Sequence, residues 1–106
     1  MAGCVKEVRF VGRALDELRE FPPEAKHDSG VELPMPSVGR GVREIRVSTG
    51  QGIYRTLYTT VLGDCVYVLH CFTKKSAKTP QSAITLGKQR LQAARSDAEK
   101  ERSNKP

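Results

Sequence analysis

A chain of 106 residues, 38% hydrophobic and only 6% aromatic, holds enough apolar material for one compact domain with a modest core, which excludes a multidomain enzyme. Its formal charge is +6, from 18 Lys and Arg against 12 Asp and Glu. The longest apolar stretch, residues 65–72, is interrupted by His70 and falls well short of the ~20 residues a membrane-spanning helix requires. The opening MAGCVKEVRF has no basic region followed by an apolar run and a small-residue cleavage site, so a soluble, cytoplasmic protein with no membrane partner is expected.

Residues 5–11 place Val8 and Phe10 on one face and Val5 and Val11 on the other, as a short strand buried in part on both sides does. Ala14, Leu15 and Leu18 then follow helical spacing with Glu17 and Glu20 outside, until Phe21-Pro22-Pro23 ends the helix. Proline suits a first helical position, so a second brief helical stretch is placed at Pro23, limited by Gly30 and Pro34-Met35-Pro36. From residue 42 the pattern is strand: 42–47, 53–62 and 65–72 are rich in Val, Ile, Thr and Tyr. Thr49-Gly50-Gln51-Gly52 joins the first two, and Gly63-Asp64 is a two-residue hairpin signal joining the next two, which predicts an antiparallel meander. Thr79 is placed as the cap of a final helix with Pro80 at its first position; Ala83, Ile84, Gly87, Leu91 and Ala94 form its apolar stripe, with Lys88, Arg90 and Arg95 off it. Residues 96–106 are charged and lack large apolar side chains, which predicts a fraying helix end or a disordered tail after a single domain over 1–95. The fold class expected is α+β: an antiparallel sheet of about four strands, the meander plus the N-terminal strand, with helices on one face and the other face open.

Charge is unevenly placed. Residues 1–44 carry seven basic and eight acidic side chains, residues 45–95 carry eight basic and only Asp64, and residues 96–106 carry three of each. Such a cationic half is suited to nucleic acid or to an acidic protein partner. Cys4, Cys65 and Cys71 are an odd set with no C-x-x-C pair, which argues against a disulfide framework or a ribbon-type zinc site. Cys65 and Cys71 share parity on one strand about 20 Å apart, too far to bridge, and His70 points to the opposite face from Cys71. Three reduced, mostly packed thiols are expected.

Several costly side chains fall on the predicted sheet: Arg43 and Arg46 on one strand, Arg55 with Tyr54 and Tyr58 on the next, His70 on the last. Lys74, Lys75 and Lys78 follow in the loop before Thr79, where cations beside a helix N-terminus suit a phosphate. The plainer reading of the lysines is a solvated loop. For Arg55 it is a structural ion pair with Glu44 or Asp64, and for His70 a hydrogen-bonded core histidine, which the apolar neighbours at its parity favour. The glycine pairs Gly39/Gly41 and Gly50/Gly52 read as turns, since neither joins a strand to a helix in the manner of a phosphate-binding loop.

The strings GRGVREIRV, IYRTLY and VYVLHCFTKKSAKTP, with a closing helix ending LQAAR, resemble the RelE/ParE toxin superfamily, in particular its HigB-like, phage-derived branch. VKEVRFVG resembles that family's first strand and REFPPEAKHDSGVEL its helical segment, so the resemblance spans nearly the whole chain. It implies a small RelE-like fold and the toxin of a type II toxin–antitoxin system, an endoribonuclease (mRNA interferase) that cuts mRNA, often on the translating ribosome. It implies as partners a helix-turn-helix antitoxin, mRNA and the ribosome, with operator DNA reached only through the antitoxin.

By motif, the resemblance places Arg55 of the Y-R-x-x-Y string at the scissile phosphate, and Lys75 at a catalytic basic position. It sets Arg46 at a basic position on the 42–47 strand, and has Lys74 and Lys78 hold the RNA backbone, with Arg43 among the RNA-binding cations. Tyr54 or Tyr58 either stacks a base or only packs. Glu44 stands where some relatives carry another basic residue, and the tyrosine some relatives use before the last helix has no equivalent in Thr79-Pro80-Gln81. Relatives also carry a longer second helix than the segment that here runs from Leu33 into Pro34-Met35.

Cleavage of this kind needs no metal or cofactor: an RNA 2′-hydroxyl attacks the adjacent phosphate, so one proton must be removed, another donated, and the phosphorane neutralised. Arg55, Arg46 and Lys75 suit the last task, and His70 suits proton transfer, since the unperturbed pKa of histidine is about 6.5. Arg55→Ala or Lys75→Ala is expected to abolish activity and leave the fold intact. The alternatives are an inactive toxin-family protein that still binds an antitoxin, and a ParE-like toxin with a non-RNA target such as DNA gyrase.

Overall fold

The computed structural model of the chain describes residues 7–23, 25, 30–50, 52–74 and 79–104. In chain order the elements are β1 (Glu7–Phe10), α1 (Ala14–Arg19), β2 (Val31–Pro34), β3 (Val42–Thr49), β4 (Gly52–Thr59), β5 (Cys65–Lys74) and α2 (Gln81–Asn104). The α+β class is the one expected. The second helical stretch placed at Pro23 falls mainly outside the described residues.

The sheet has five strands rather than about four, in the order β1-β5-β4-β3-β2, and it is mixed: β1 runs parallel to β5 while every other neighbour is antiparallel. The strand without a sequence signal is β2, whose four residues VELP are too few to display a period and end in proline. Proline is tolerated there because β2 lies at the sheet edge. The expected meander is present in β3, β4 and β5. Its first hairpin closes at Thr49 opposite Gly52. The second is longer than a two-residue turn, because β4 stops at Thr59, whose hydroxyl donates to the Gly41 carbonyl at 2.9 Å, and β5 starts only at Cys65. Gly63, at φ +62°, supplies the left-handed residue of that connection.

Two apolar clusters form, one on each face of the sheet. Val42, Leu57, Tyr67 and Leu69 pack with Met35, Val38 and, from α2, Leu91 and Ala94. Val47, Tyr54, Val68 and Cys71 pack with Ala14 of α1 and with Phe21 and Ala25 beyond it. Within β3 and β4 the clusters take residues of opposite parity, hence opposite faces. The face expected to stay open is therefore covered, in part by Phe21, whose ring meets Tyr54 edge-on at 4.9 Å. Burial of both parities in β4 and β5 is what central strands of a two-sided sheet require.

The stripe expected on α2 is its buried face. At Gly87 an added Cβ would sit 3.1 Å from Leu57 and Val38 side-chain carbons, so glycine lets the helix lie close to the sheet. Residues 96–104, expected to fray or be disordered, continue α2. There Asp97 accepts hydrogen bonds from Arg9 (2.8 Å) and the Tyr67 hydroxyl (2.7 Å), and Glu101 accepts from Arg9 (2.9 Å), which ties the charged end of the helix to β1 and β5. Among the described residues no helix is long and apolar enough to cross a membrane.

One irregularity redirects β5. Leu57 pairs with His70 but Tyr58 pairs with Val68, so Leu69 is an extra residue, a β-bulge. Beyond it the parity changes: Cys65 belongs to the cluster under α2 and Cys71 to the opposite one, so the shared face expected of the two free thiols is not kept. His70 likewise parts from Val68 and joins the face of Leu57 and Phe72, on which its ring stacks at 4.7 Å.

Candidate functional site

Strand register sets Arg46 directly opposite Arg55, and residues opposite one another in an antiparallel pair share a face. Glu44 precedes Arg46 by two residues, and Lys74 pairs with Ile53, two before Arg55, so both lie on that same face. Two guanidinium groups held side by side would repel; Glu44 reconciles them. It is fully buried, its Oε1 accepts a hydrogen bond from Arg46 Nε, and its Oε2 accepts one from the Thr79 hydroxyl at 3.2 Å. Arg55 Nη1 donates to that same hydroxyl at 2.9 Å and lies 3.8 Å from Glu44 Oε2. Thr79 thus links the two charges, receiving from one and giving to the other.

Thr79 therefore does not serve as the helix cap expected of it. The first carbonyl of α2 is that of Pro80, which accepts from the Ala83 and Ile84 N–H groups at 3.1 and 3.2 Å, while the Thr79 side chain faces the sheet. Arg55 has no exposed surface. Burial lowers its pKa, the Glu44 charge opposes that, and the Arg46 charge adds to it. Arg46 keeps 24% of its side chain exposed and Lys74 is exposed at the end of β5, so these are the cations of the group that solvent reaches. Lys75 and Lys78 lie outside the described residues.

His70 belongs to a second group. Its Nδ1 is 2.8 Å from Glu17 Oε1, and that oxygen also accepts from Arg90 Nη1 at 2.8 Å and from the Cys71 N–H at 3.1 Å. Arg90 Nη1 donates in addition to the carbonyl of Leu69, the bulged residue, at 3.0 Å. Because β1 ends opposite Val68, the edge of β5 past that point has no strand beside it, and Glu17 and Arg90 take up its backbone groups. Burial alone would push the Glu17 carboxyl up, but the hydrogen bonds from Arg90, His70 and the Cys71 N–H outweigh it and hold the group at about 2.

The remaining candidates lie apart from both groups. Arg43 and Tyr58 pair with each other across β3 and β4 on the opposite face from Arg46 and Arg55, and both bond Glu32, Arg43 Nε at 3.2 Å. Tyr54 is buried, with its ring packed edge-on against Phe21. From the sequence, Glu17 reads as the outer face of a helix and Arg90 as a residue off the apolar stripe. Nothing in their spacing marks a contact across 53 or 73 residues of chain. Among the described residues no group of three or more His, Cys, Asp or Glu is arranged to hold a metal ion.

Residues 5–92 match a family model described as Phage derived protein Gp49-like (DUF891). No curated protein and no solved structure matches the chain.

Proposed function

The chain belongs to the Gp49-like family of phage-derived proteins, and from that premise we propose that it is the toxin of a type II toxin–antitoxin system, a metal-independent endoribonuclease that cuts mRNA on the translating ribosome. Two things support the reading: the family is generally related to HigB-like toxins, and the sheet sets Arg46 opposite Arg55 with Lys74 on the same face. The second is the observation that carries it, since clustered cations on one face are what a phosphate backbone needs.

In the proposed reaction the 2′-oxygen forms a bond to phosphorus as its proton leaves, and the P–O5′ bond breaks as the 5′-oxygen takes a proton. The products are a 2′,3′-cyclic phosphate and a 5′-hydroxyl. Arg46 and Lys74, the accessible cations, meet phosphate oxygens, and the crowded phosphorane gains most from such fixed charges. Arg55, fully buried, acts behind them by setting Glu44 and Thr79. Lys75 and Lys78 add backbone contacts by the family resemblance, and His70 is the proton-transfer group. The partners proposed are a helix-turn-helix antitoxin, mRNA and the ribosome, with operator DNA reached through the antitoxin, all in the cytoplasm.

A second reading, an inactive family member that binds its antitoxin only, is favoured by Glu44, whose buried carboxylate offsets the charge of Arg46 and Arg55. Primer extension on a defined mRNA, naked and on programmed ribosomes, separates the two. Cleavage on ribosomes that is lost in Arg46→Ala is the expected result. Absence of cleavage in both settings by folded protein overturns the ribonuclease reading in favour of the second.

A further inference from the structure

We propose that Glu17 is a positioning residue that holds the His70 imidazole with its proton on Nδ1, leaving Nε2 as the atom that exchanges protons with solvent or with a bound substrate. The substrate in this statement rests on the ribonuclease reading; the assignment of the proton does not.

Three groups converge on one oxygen. Glu17 Oε1 accepts from Arg90 Nη1 and from the Cys71 N–H, neither of which can accept a bond in return. Its third neighbour at 2.8 Å is His70 Nδ1. A carboxylate oxygen that already accepts from a guanidinium and a backbone N–H belongs to an ionised group at neutral pH and has no proton to give, so the contact is a hydrogen bond only if Nδ1 is the donor. The alternative tautomer would set an Nδ1 lone pair against a carboxylate oxygen, with only the 3.4 Å approach of Arg90 Nη1 in compensation.

Nε2 has no hydrogen-bond partner among the described residues. The ring is otherwise fixed, stacked on Phe72 and with only 12% of the side chain exposed. Phe72 in turn stands directly opposite Arg55, so the imidazole is a diagonal neighbour of Arg55 on the same face, a spacing of roughly 7–8 Å, with Arg46 one strand further away. The charged groups around the ring are Glu17 from α1, Arg90 from α2 and, diagonally on β4, Arg55, while the Cys71 thiol lies on the other face of the sheet. A carboxylate on Nδ1 with a free Nε2 is the arrangement that fixes a histidine as a directed base.

The test reads the wild-type protein first. Long-range ¹H–¹⁵N correlation at neutral pH, with His70 resolved from His27, is expected to show a protonated Nδ1 and a pyridine-like Nε2; a pyridine-like Nδ1 overturns the proposal. In Glu17→Gln, which keeps an oxygen for Arg90 and Cys71, the tautomers are expected to mix. Carbethoxylation of His70 is expected to change in rate and pH dependence, and RNA cleavage to fall by roughly 10- to 100-fold, within what a positioned acid or base contributes. An unchanged pH profile of both reactions in Glu17→Gln overturns the positioning role even if the tautomer is as stated. If wild-type protein cleaves no RNA while the tautomer and the Glu17-dependent carbethoxylation are as expected, the ribonuclease reading falls and the proton assignment stands supported.

Discussion

Removing the Arg55 guanidinium, as in Arg55→Met, leaves Glu44 fully buried with its charge no longer opposed across 3.8 Å and with the Thr79 hydroxyl deprived of its donor. Breaking a buried pair at one end typically costs about 3–5 kcal/mol. Glu44 keeps its bond from Arg46, so the low end, about 3 kcal/mol, is expected. For a domain of this size each kcal/mol moves Tm by about 4–8 °C, which gives a fall of about 12–24 °C. The double variant Glu44→Leu/Arg55→Met removes both charges together and is expected to cost well under the sum of the single changes, with a coupling of about 2 kcal/mol. Urea unfolding followed by circular dichroism on the four proteins measures all the terms. A cost below about 1 kcal/mol for Arg55→Met, or strict additivity in the double variant, would refute the reasoning. One consequence concerns function. The sequence leads one to expect that Arg55→Ala spares the fold, but with no exposed surface in this network Arg55 is expected to carry stability, so Arg46→Ala is the cleaner variant for testing the proposed activity.

Glu17 is held at about 2, below its ordinary 4.5, so its contribution to stability is present above pH ~4.5 and is lost as pH falls toward 2; Glu17→Gln is expected to flatten that part of the acid-unfolding profile, and an unaltered profile would contradict the assignment. Burial pushes the Cys71 thiol up to about 11 against the Thr56 hydroxyl, so in native protein near pH ~8 it is expected to resist iodoacetamide until the chain unfolds, a difference mass spectrometry reads directly. Gly41 sits at φ +82° with its ideal Cβ position 2.6 Å from a Val61 methyl, and Gly41→Ala is expected to cost about 1–3 kcal/mol in a urea melt; a neutral result would mean that the turn relaxes.

What the sequence determined by itself was whatever depends on neighbours along the chain. The first helix, the meander and the stripe on α2 follow from spacing, because periodicity reports which side of an element is apolar. The cationic half, and the resemblance of its strings to a toxin family, were equally legible there, and the Gp49-like match over residues 5–92 agrees at the level of the phage-derived family. Tertiary structure decided what depends on residues distant in sequence. A four-residue edge strand has no period to read, and the parallel pairing of β1 with β5 is set by where the rest of the sheet leaves an edge. The bulge at Leu69 changes the parity of β5 through one inserted residue, so alternation counted along the sequence put Cys65 with Cys71 and His70 with Val68 when the fold separates both pairs. Charge shows the same division. Composition shows an excess of cations, but only the packed molecule shows that Glu44 binds between two of them and that Glu17, from a helix 53 residues away, takes hold of His70, since burial and electrostatic pairing are properties of distance in space.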